Sequence, residues 1–414
     1  VSLRHAPAIL LGRAVRVAAR LRKPGGGSAV PGLVVNRIAP GFLPAALDSF
    51  RDGLVVVTGS SGKSTTTKML VAILEAHGRR VFTNPSTANI SQGLTSALLE
   101  RSSLTGRIDA DIAVLEMDEG HGALIAPRLS PRVVVLTNVM TDQIDRFFDS
   151  EKVRDYLAVI ARRATDAIVS NGDDQLLEEL VSDLPIPVHR FGVSGQVLDG
   201  LPRGLGYTRT TDTRIGSGTI VTSVAGRAAV IDHDRIPLAF ELPARGVHYA
   251  VDAAAAISAA AAILGGGFDP LVTSTALSGI HPVFARGEVT AVRGKRVEFV
   301  LVQNPASFQL NVDALDADLD QVMVAMGSDV RDPAYFWPVD ARRIGRARVV
   351  SGSKAAEIAL QLAYQGVAVD RVEPDLGAAV DDFLALPEPT TGVKTIVFTA
   401  DSMRRTRAHL GLSA

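Results

Sequence analysis

Short continuous apolar runs alternate along this chain with stretches whose apolar residues recur at helical spacing. Leu54-Val55-Val56-Val57, Ile112-Ala113-Val114-Leu115, Val133-Val134-Val135-Leu136 and Ala167-Ile168-Val169-Ser170 have the length and β-branched make-up of strands buried on both faces. Met69, Leu70, Ile73 and Leu74 follow the first run at the spacing of one helix face. This alternation, up to about Asp183, predicts a parallel sheet with helices on both sides. From about Pro185 to Pro243 the pattern changes to short β segments, at 207–208, 219–222 and 229–231. An Ala-rich helix over 251–264 and the breaker Gly265-Gly266-Gly267 come next. Apolar runs at 297–302, 321–325, 347–351 and 395–399 then predict a second, smaller α/β domain.

Upstream, residues 2–23 carry Ile9, Leu10, Val15, Val17, Ala18 and Leu21 among Arg4, Arg13, Arg16, Arg20 and Arg22. That is a basic amphipathic helix, readable as a helix packed on its own domain or as a peripheral contact with an anionic membrane surface. The uninterrupted apolar core and cleavage site of a signal peptide are not seen. Lys23-Pro24-Gly25-Gly26-Gly27-Ser28 breaks the helix.

Composition narrows the field. The 414 residues suggest two or three domains. With 43 basic against 44 acidic side chains and a net charge of −1, the basic surplus of an electrostatic nucleic-acid binder is missing, so no nucleic-acid partner is expected. Zero cysteines exclude disulfides, Cys-ligated zinc and a thiol nucleophile. The apolar runs are expected to fall short of the roughly 18 residues of a spanning helix. The expectation is a soluble, cytoplasmic α/β protein.

The first strand runs directly into Thr58-Gly59-Ser60-Ser61-Gly62-Lys63-Ser64-Thr65. Strand, glycine loop, Lys-Ser and helix form the context of a phosphate loop. Gly59 and Gly62 let the main chain curl so that its N–H groups face an anion. Lys63 offers a point charge for the β- and γ-phosphates, and the Ser64 hydroxyl a ligand for Mg²⁺. The second strand ends at Glu116-Met117-Asp118-Glu119, on the ligand side of a parallel sheet. Glu116 is a candidate hard-oxygen ligand for Mg²⁺. The third strand leads into Thr137-Asn138, and the fourth into Asn171-Gly172-Asp173-Asp174.

These motifs resemble the Mur-type ATP-dependent ligases, and within them the MurT subunits of lipid II isoglutaminyl synthase. The resemblance is carried by the loop, by Glu116-Met117-Asp118-Glu119, and by 137–146, with Asp142-Gln143 where other Mur ligases usually have Asp-His. Phe284-Ala285-Arg286-Gly287-Glu288, Gln303-Asn304-Pro305-Ala306-Ser307-Phe308 and Val350-Ser351-Gly352 extend it. It implies a Mur-ligase-type central domain over 49–286 with a β-rich insert at about 185–243. A lead-in segment over 1–48 would precede it and a MurT-like α/β domain over 287–414 would follow. It further implies ATP and Mg²⁺ as cofactors, with Thr58, Gly59, Ser60, Ser61, Gly62, Lys63, Ser64, Thr65, Asn138 and Arg286 around the nucleotide. Ser64 and Glu116 would sit on the metal, and Lys63, Glu116 and Asp332 would act in catalysis. The implied reaction is acyl-phosphate activation of a carboxylate, the D-glutamate of a lipid-linked peptidoglycan precursor. Ammonia would come from a glutaminase partner (GatD-like, class I amidotransferase) at the inner face of the plasma membrane.

Asp332 enters by register. The stretch from Asp329 through Asp332 to the aromatics Tyr335-Phe336-Trp337 is similar to one whose aspartate completes the partner's Cys–His pair in trans. Asp329 is the fallback, and Pro333 and Pro338 depart from that pattern. The chain departs elsewhere too. The 185–243 stretch lacks the family's four zinc-ribbon cysteines, so no zinc is expected, and His189, His233, His248 and His281 lack ligand spacing. Tyr249 and Asp252 occupy the asparagine positions of a His-Asn-x-x-Asn signature, and Lys152 is the only candidate for a carbamylated lysine. A Mur-like ligase for another carboxylate or amine, or a decayed ATP-binding scaffold, are the alternatives.

Overall fold

The computed structural model describes residues 5–22, 29–85, 90–140, 149–201, 203–211, 216–281, 285–316, 319–332 and 336–412, without the side chains of residues 20–22. The Asp142-Gln143 pair, Phe284 and Pro333 lie outside the described residues.

Nine strands make the first sheet: β1 (Leu54–Thr58), β2 (Val81–Thr83), β3 (Ile112–Glu116), β4 (Val133–Leu136), β5 (Ala167–Asn171), β6 (Val188–Val193), β7 (Thr219–Ala225), β8 (Ala228–His233) and β9 (Ile236–Glu241). Their spatial order is β2-β3-β1-β4-β5-β6-β7-β8-β9. Pairing is parallel from β2 through to β7 and antiparallel across β7, β8 and β9. The continuous apolar runs are explained by two-sided burial. Val55 and Val57 of β1 point into one core with helices Lys63–Ala76 and Val247–Leu264, whereas Leu54 and Val56 point into another. That second core includes Ile9, Val35 and Phe42 from the N-terminal helices and Leu98 and Leu157 from later ones.

Three sequence expectations change here. Residues 185–243 do not fold as a separate insert: β6 continues the parallel sheet and β7–β9 finish it as a meander, while Tyr207 makes only an isolated bridge to Met140. The Ala-rich helix begins earlier, at Val247. Residues 247–267 are long and apolar enough to cross a membrane, contrary to the reading of the sequence, yet 72% of the apolar window is buried. Alanines 253–256, 259 and 260 let this helix lie close against its neighbours, which makes it a core helix.

The second sheet contains β10 (Arg286–Val292), β11 (Lys295–Leu301), β12 (Val322–Ala325), β13 (Arg346–Ser351), β14 (Ala368–Val369), β15 (Val372–Glu373) and β16 (Lys394–Phe398). Its order is β10-β11-β16-β12-β13-β14, with β15 also on β13. Only the β10–β11 hairpin is antiparallel. Val322 and Val324 face one core and Met323 and Ala325 the other, the period of a strand covered on both sides. The result is an α/β architecture: a phosphate-loop domain with a parallel-dominated sheet, then a smaller α/β domain.

Candidate active site

β1 delivers Thr58 to the C-terminal edge of the first sheet, and the chain turns through Gly59 (φ +135°) and Gly62 (φ +82°) into the helix Lys63–Ala76. At Gly62 the left-handed conformation favours glycine, and a β-carbon there would collide with the Asp252 carboxylate. Gly62→Ala is therefore expected to lower ATP affinity at least about tenfold, given about 1–2 kcal/mol for the backbone alone. Nucleotide titration checks this, and wild-type affinity would show the turn to be pliable.

The loop is tied to the end of β4. Ser60 N–H donates to the Asn138 carbonyl at 2.9 Å and Ser61 N–H to Asn138 Oδ1 at 2.9 Å. Asn138 Nδ2 returns a bond to the Ser61 carbonyl at 3.2 Å, and the Thr137 hydroxyl donates to the same oxygen at 2.7 Å. Met140 N–H donates to Ser60 Oγ at 3.1 Å. Lys63 Nζ lies back over the turn, donating to the carbonyls of Gly59 and Ser60 and to Glu119 Oε1 at 3.4 Å.

Glu116, the last residue of β3, is buried beside this loop. Burial raises its pKa, while a hydrogen bond from Ser64 and the charges of Lys63 and Arg286 pull it back down. Its main chain is clamped by Asn84, which accepts from Glu116 N–H at 3.0 Å and donates to the Glu116 carbonyl at 3.1 Å. Ser64 and Glu116 thus place a hydroxyl and a carboxylate together. Among the described residues no group of three or more His, Asp or Glu could cage a metal. One carboxylate, one hydroxyl and substrate phosphates suit Mg²⁺, which keeps several waters.

Behind the loop, Asp174 accepts from Val139 N–H at 2.6 Å and caps the next helix through Leu176 N–H at 3.0 Å. Burial pushes its carboxyl up to about 7. Asn171 donates to the Thr137 carbonyl at 2.9 Å and to the Tyr207 hydroxyl at 2.8 Å. These bonds fix the 137–140 segment that in turn holds the phosphate loop.

A cleft of about 650 Å³ opens over the loop. Ser61, Gly62, Thr65 and Asn138 line it from the first sheet, and Arg286, Gln303 and Asn311 from the second unit. Arg286 begins β10, and its carbonyl accepts from the Tyr249 hydroxyl at 2.9 Å. Its charge lowers the pKa values of Glu116, Asp252 and buried His248, whose imidazole is held down to about 4 chiefly by burial.

Residues 57–260 match the Mur ligase middle domain. The chain is 26% identical over 392 residues, 85% of each protein, to subunit MurT of the glutamine-hydrolysing lipid II isoglutaminyl synthase of Streptococcus pneumoniae. This chain carries a Mur ligase domain. It resembles MurT along most of its length and is an ATP-dependent carbon–nitrogen ligase. It is also 26% identical over 79% of its length to UDP-N-acetylmuramate–L-alanine ligase of Thermobifida fusca, covering 64% of that protein. In fold it is similar to the MurF ligase of Thermotoga maritima in complex with ADP: TM-score 0.65, 19% identity, covering 89% of this chain and 81% of that one.

Thr58, Gly59, Ser60, Ser61, Gly62, Lys63, Ser64, Thr65, Glu116 and Asn138 converge on one edge of the first sheet, and Arg286 meets them across the cleft from β10. Asp332 does not line the cleft. It is exposed in the loop after β12. Nearby, Phe336 is buried edge-on to Phe308 (centroids 5.5 Å apart), while Trp337 lies against exposed Tyr364. Asp329 is exposed as well, and its carboxylate accepts from the Thr399 hydroxyl at 2.8 Å. Lys152 is exposed over the Tyr156 ring and does not line the cleft.

The sequence reading missed Asn84 and undervalued Asp252. Asn84 follows a strand of only three residues, but a polar residue directly after Val81-Phe82-Thr83 was a usable signal. Asp252 sits in the first turns of the core helix, buried against Gly62, and burial raises its carboxyl to about 8 despite Arg286 and the Thr65 and Thr66 hydroxyls. In the unfolded chain this carboxyl ionises near 4. Between about pH 4 and 8 the folded state therefore holds a proton the unfolded state has lost. Rising pH costs stability through that window, by up to about 1.4 kcal/mol per unit. Asp252→Asn should flatten that slope, so its melting point gains on wild type at pH 8 relative to pH 5. Parallel pH–melting curves would contradict it.

Proposed function

We propose that this Mur-type ligase is the synthetase half of a glutamine-dependent amidotransferase acting on a peptidoglycan precursor at the cytoplasmic side of the membrane. The supporting observation is the likeness to the streptococcal MurT subunit over 85% of both chains, which takes in the second domain as well as the phosphate loop. The acceptor in this reading is the D-glutamate carboxylate of a lipid-linked stem peptide, and the partner is a class I glutaminase.

The chain's own groups suit the first half-reaction. The main-chain N–H groups at Gly62 and beyond, at the start of the helix, face an anion, and Lys63 adds a positive charge. Ser64 and Glu116 would hold Mg²⁺, which when bound supplies charge neutralisation on the phosphate oxygens. Arg286 approaches from the second unit and balances charge as a carboxylate oxygen attacks the γ-phosphorus and ADP leaves. Ammonia then attacks the acyl carbon, inorganic phosphate departs with the acyl–oxygen bond, and the nitrogen loses a proton. Positioning and electrostatics carry such phosphoryl transfers.

The test is ATP turnover with a lipid-linked acceptor, with and without a glutaminase, supplying glutamine or ammonia. Amide formation from ammonia alone, and from glutamine only with the partner, is expected. The second reading, ligation of an amino acid, draws on the comparable identity to the alanine-adding ligase. Turnover driven by an amino acid without a partner would establish it, and nucleotide binding without turnover would leave only a scaffold.

A further inference from the structure

The N-terminal helix Ala6–Arg22 is turned with its apolar stripe outward. Ala8, Ile9 and Gly12 are buried, while Pro7, Leu10, Leu11, Ala14, Val17 and Ala18 are exposed. These six residues follow one another at the three- and four-residue spacing of a single helix face. Arg13 and Arg16 do the opposite. Arg13 donates to the carbonyls of Leu99 and Ser102 at the end of helix Ser91–Arg101, and Arg16 pairs with Glu100 at 2.6 Å. The last carbonyls of a helix lack internal donors, and the inward-facing Arg13 guanidinium answers that need.

A second helix, Val30–Ile38, lies alongside, because the Gly12 face of the first helix meets Val35 and Leu99. It too exposes apolar side chains: Val30, Leu33 and Ile38, beside exposed Arg37. Isolated exposed leucines need no explanation, whereas an apolar stripe continued by a neighbouring element marks a contact surface.

Charge selects the occupant. Residues 1–47 carry seven basic side chains (Arg4, Arg13, Arg16, Arg20, Arg22, Lys23 and Arg37) and no acidic one, although the whole chain is net −1. We infer that the outward faces of helices Ala6–Arg22 and Val30–Ile38 dock on an anionic phospholipid surface. Apolar burial at the headgroup boundary would combine there with attraction to negative lipid. A second copy of the same face would set this basic segment against itself. The inference stands on the helices alone and goes beyond the amidation reading, so loss of one leaves the other intact.

The experiment uses the full chain with phosphatidylcholine vesicles, with and without phosphatidylglycerol, at low and high salt. Binding that requires phosphatidylglycerol and weakens with salt is expected. The triple variant Leu10→Glu, Leu11→Glu, Val17→Glu should bind about tenfold or more weakly, with ATP affinity unchanged. The neutral pair Leu10→Gln, Leu11→Gln, which keeps helix-favouring residues, should show a smaller loss in the same direction and guards against misfolding. Equal vesicle binding by wild type and both variants would overturn the inference. So would no vesicle binding by wild type, including the case where it forms a dimer that the variants abolish.

Discussion

Replacing Lys63 with alanine is expected to reduce acceptor-dependent ATP turnover by on the order of 10²-fold or more, the scale of losing one preorganised electrostatic stabiliser. The ammonium group stands over the turn, bonded to the Gly59 and Ser60 carbonyls and within 3.4 Å of Glu119 Oε1. It is the cation of the loop itself, whereas Arg286 reaches the cleft from β10. Charge that builds on the transferring phosphoryl group would lose its nearest balancing partner. Unfolding would not account for the loss, because Lys63 is the first residue of its helix, where a positive charge opposes the helix dipole. The melting point should therefore hold or rise slightly. Lys63→Arg should recover only part of the rate, since a planar guanidinium is not an ammonium point charge. Single-turnover measurement of γ-phosphate release decides the matter, and an unchanged rate in the alanine variant would remove this loop from the chemistry.

Asp332→Asn is the second large effect. In a reconstituted pair with a glutaminase, glutamine hydrolysis should fall by up to about 10⁴-fold, the size of loss when a carboxylate that orients a catalytic histidine becomes an amide. ATP binding and ammonia-driven amidation should persist, because Asp332 is exposed and lies outside the nucleotide cleft. Asp329→Asn supplies the contrast. It weakens the 2.8 Å bond from the Thr399 hydroxyl and should cost about 1 kcal/mol of stability, with glutaminase activity near normal. Normal hydrolysis in the Asp332 variant would end that assignment, and a fall confined to the Asp329 variant would transfer the role.

Much of the fold was legible because its signals are local. A strand buried on both faces must be apolar throughout, so Leu54-Val55-Val56-Val57 and Val133-Val134-Val135-Leu136 announced themselves. The glycine loop was equally plain, since only glycine takes the φ of +135° and +82° found at positions 59 and 62 at little cost. The last three strands of the first sheet, β7 to β9, read less well. Thr219–Ala225 and Ala228–His233 bury only alternate residues, and Ile236–Glu241 was missed, so this part of the sheet looked like an insert. The core helix was begun too late because Val247-His248-Tyr249 carries polar groups, and in the structure His248 and Tyr249 line the cleft.

The sequence by itself determined the elements and the chemical identity of the loop: apolar runs that must be sheltered, glycines where the chain must curl, and a lysine and serine at the helix start. Only the tertiary structure decided which distant groups share that place. Asn84 on Glu116, Asn138 on Ser61, Asp252 beneath Gly62 and Arg286 across the cleft are separated in sequence by up to some two hundred residues. The tertiary structure also decided which face of the first helix looks outward, since Arg13 was drawn to the carbonyl end of helix Ser91–Arg101 and Arg16 to Glu100. The reason is physical. Periodicity and backbone preference act over a few residues, whereas burial, pairing and charge act between surfaces that exist only once the chain has closed on itself.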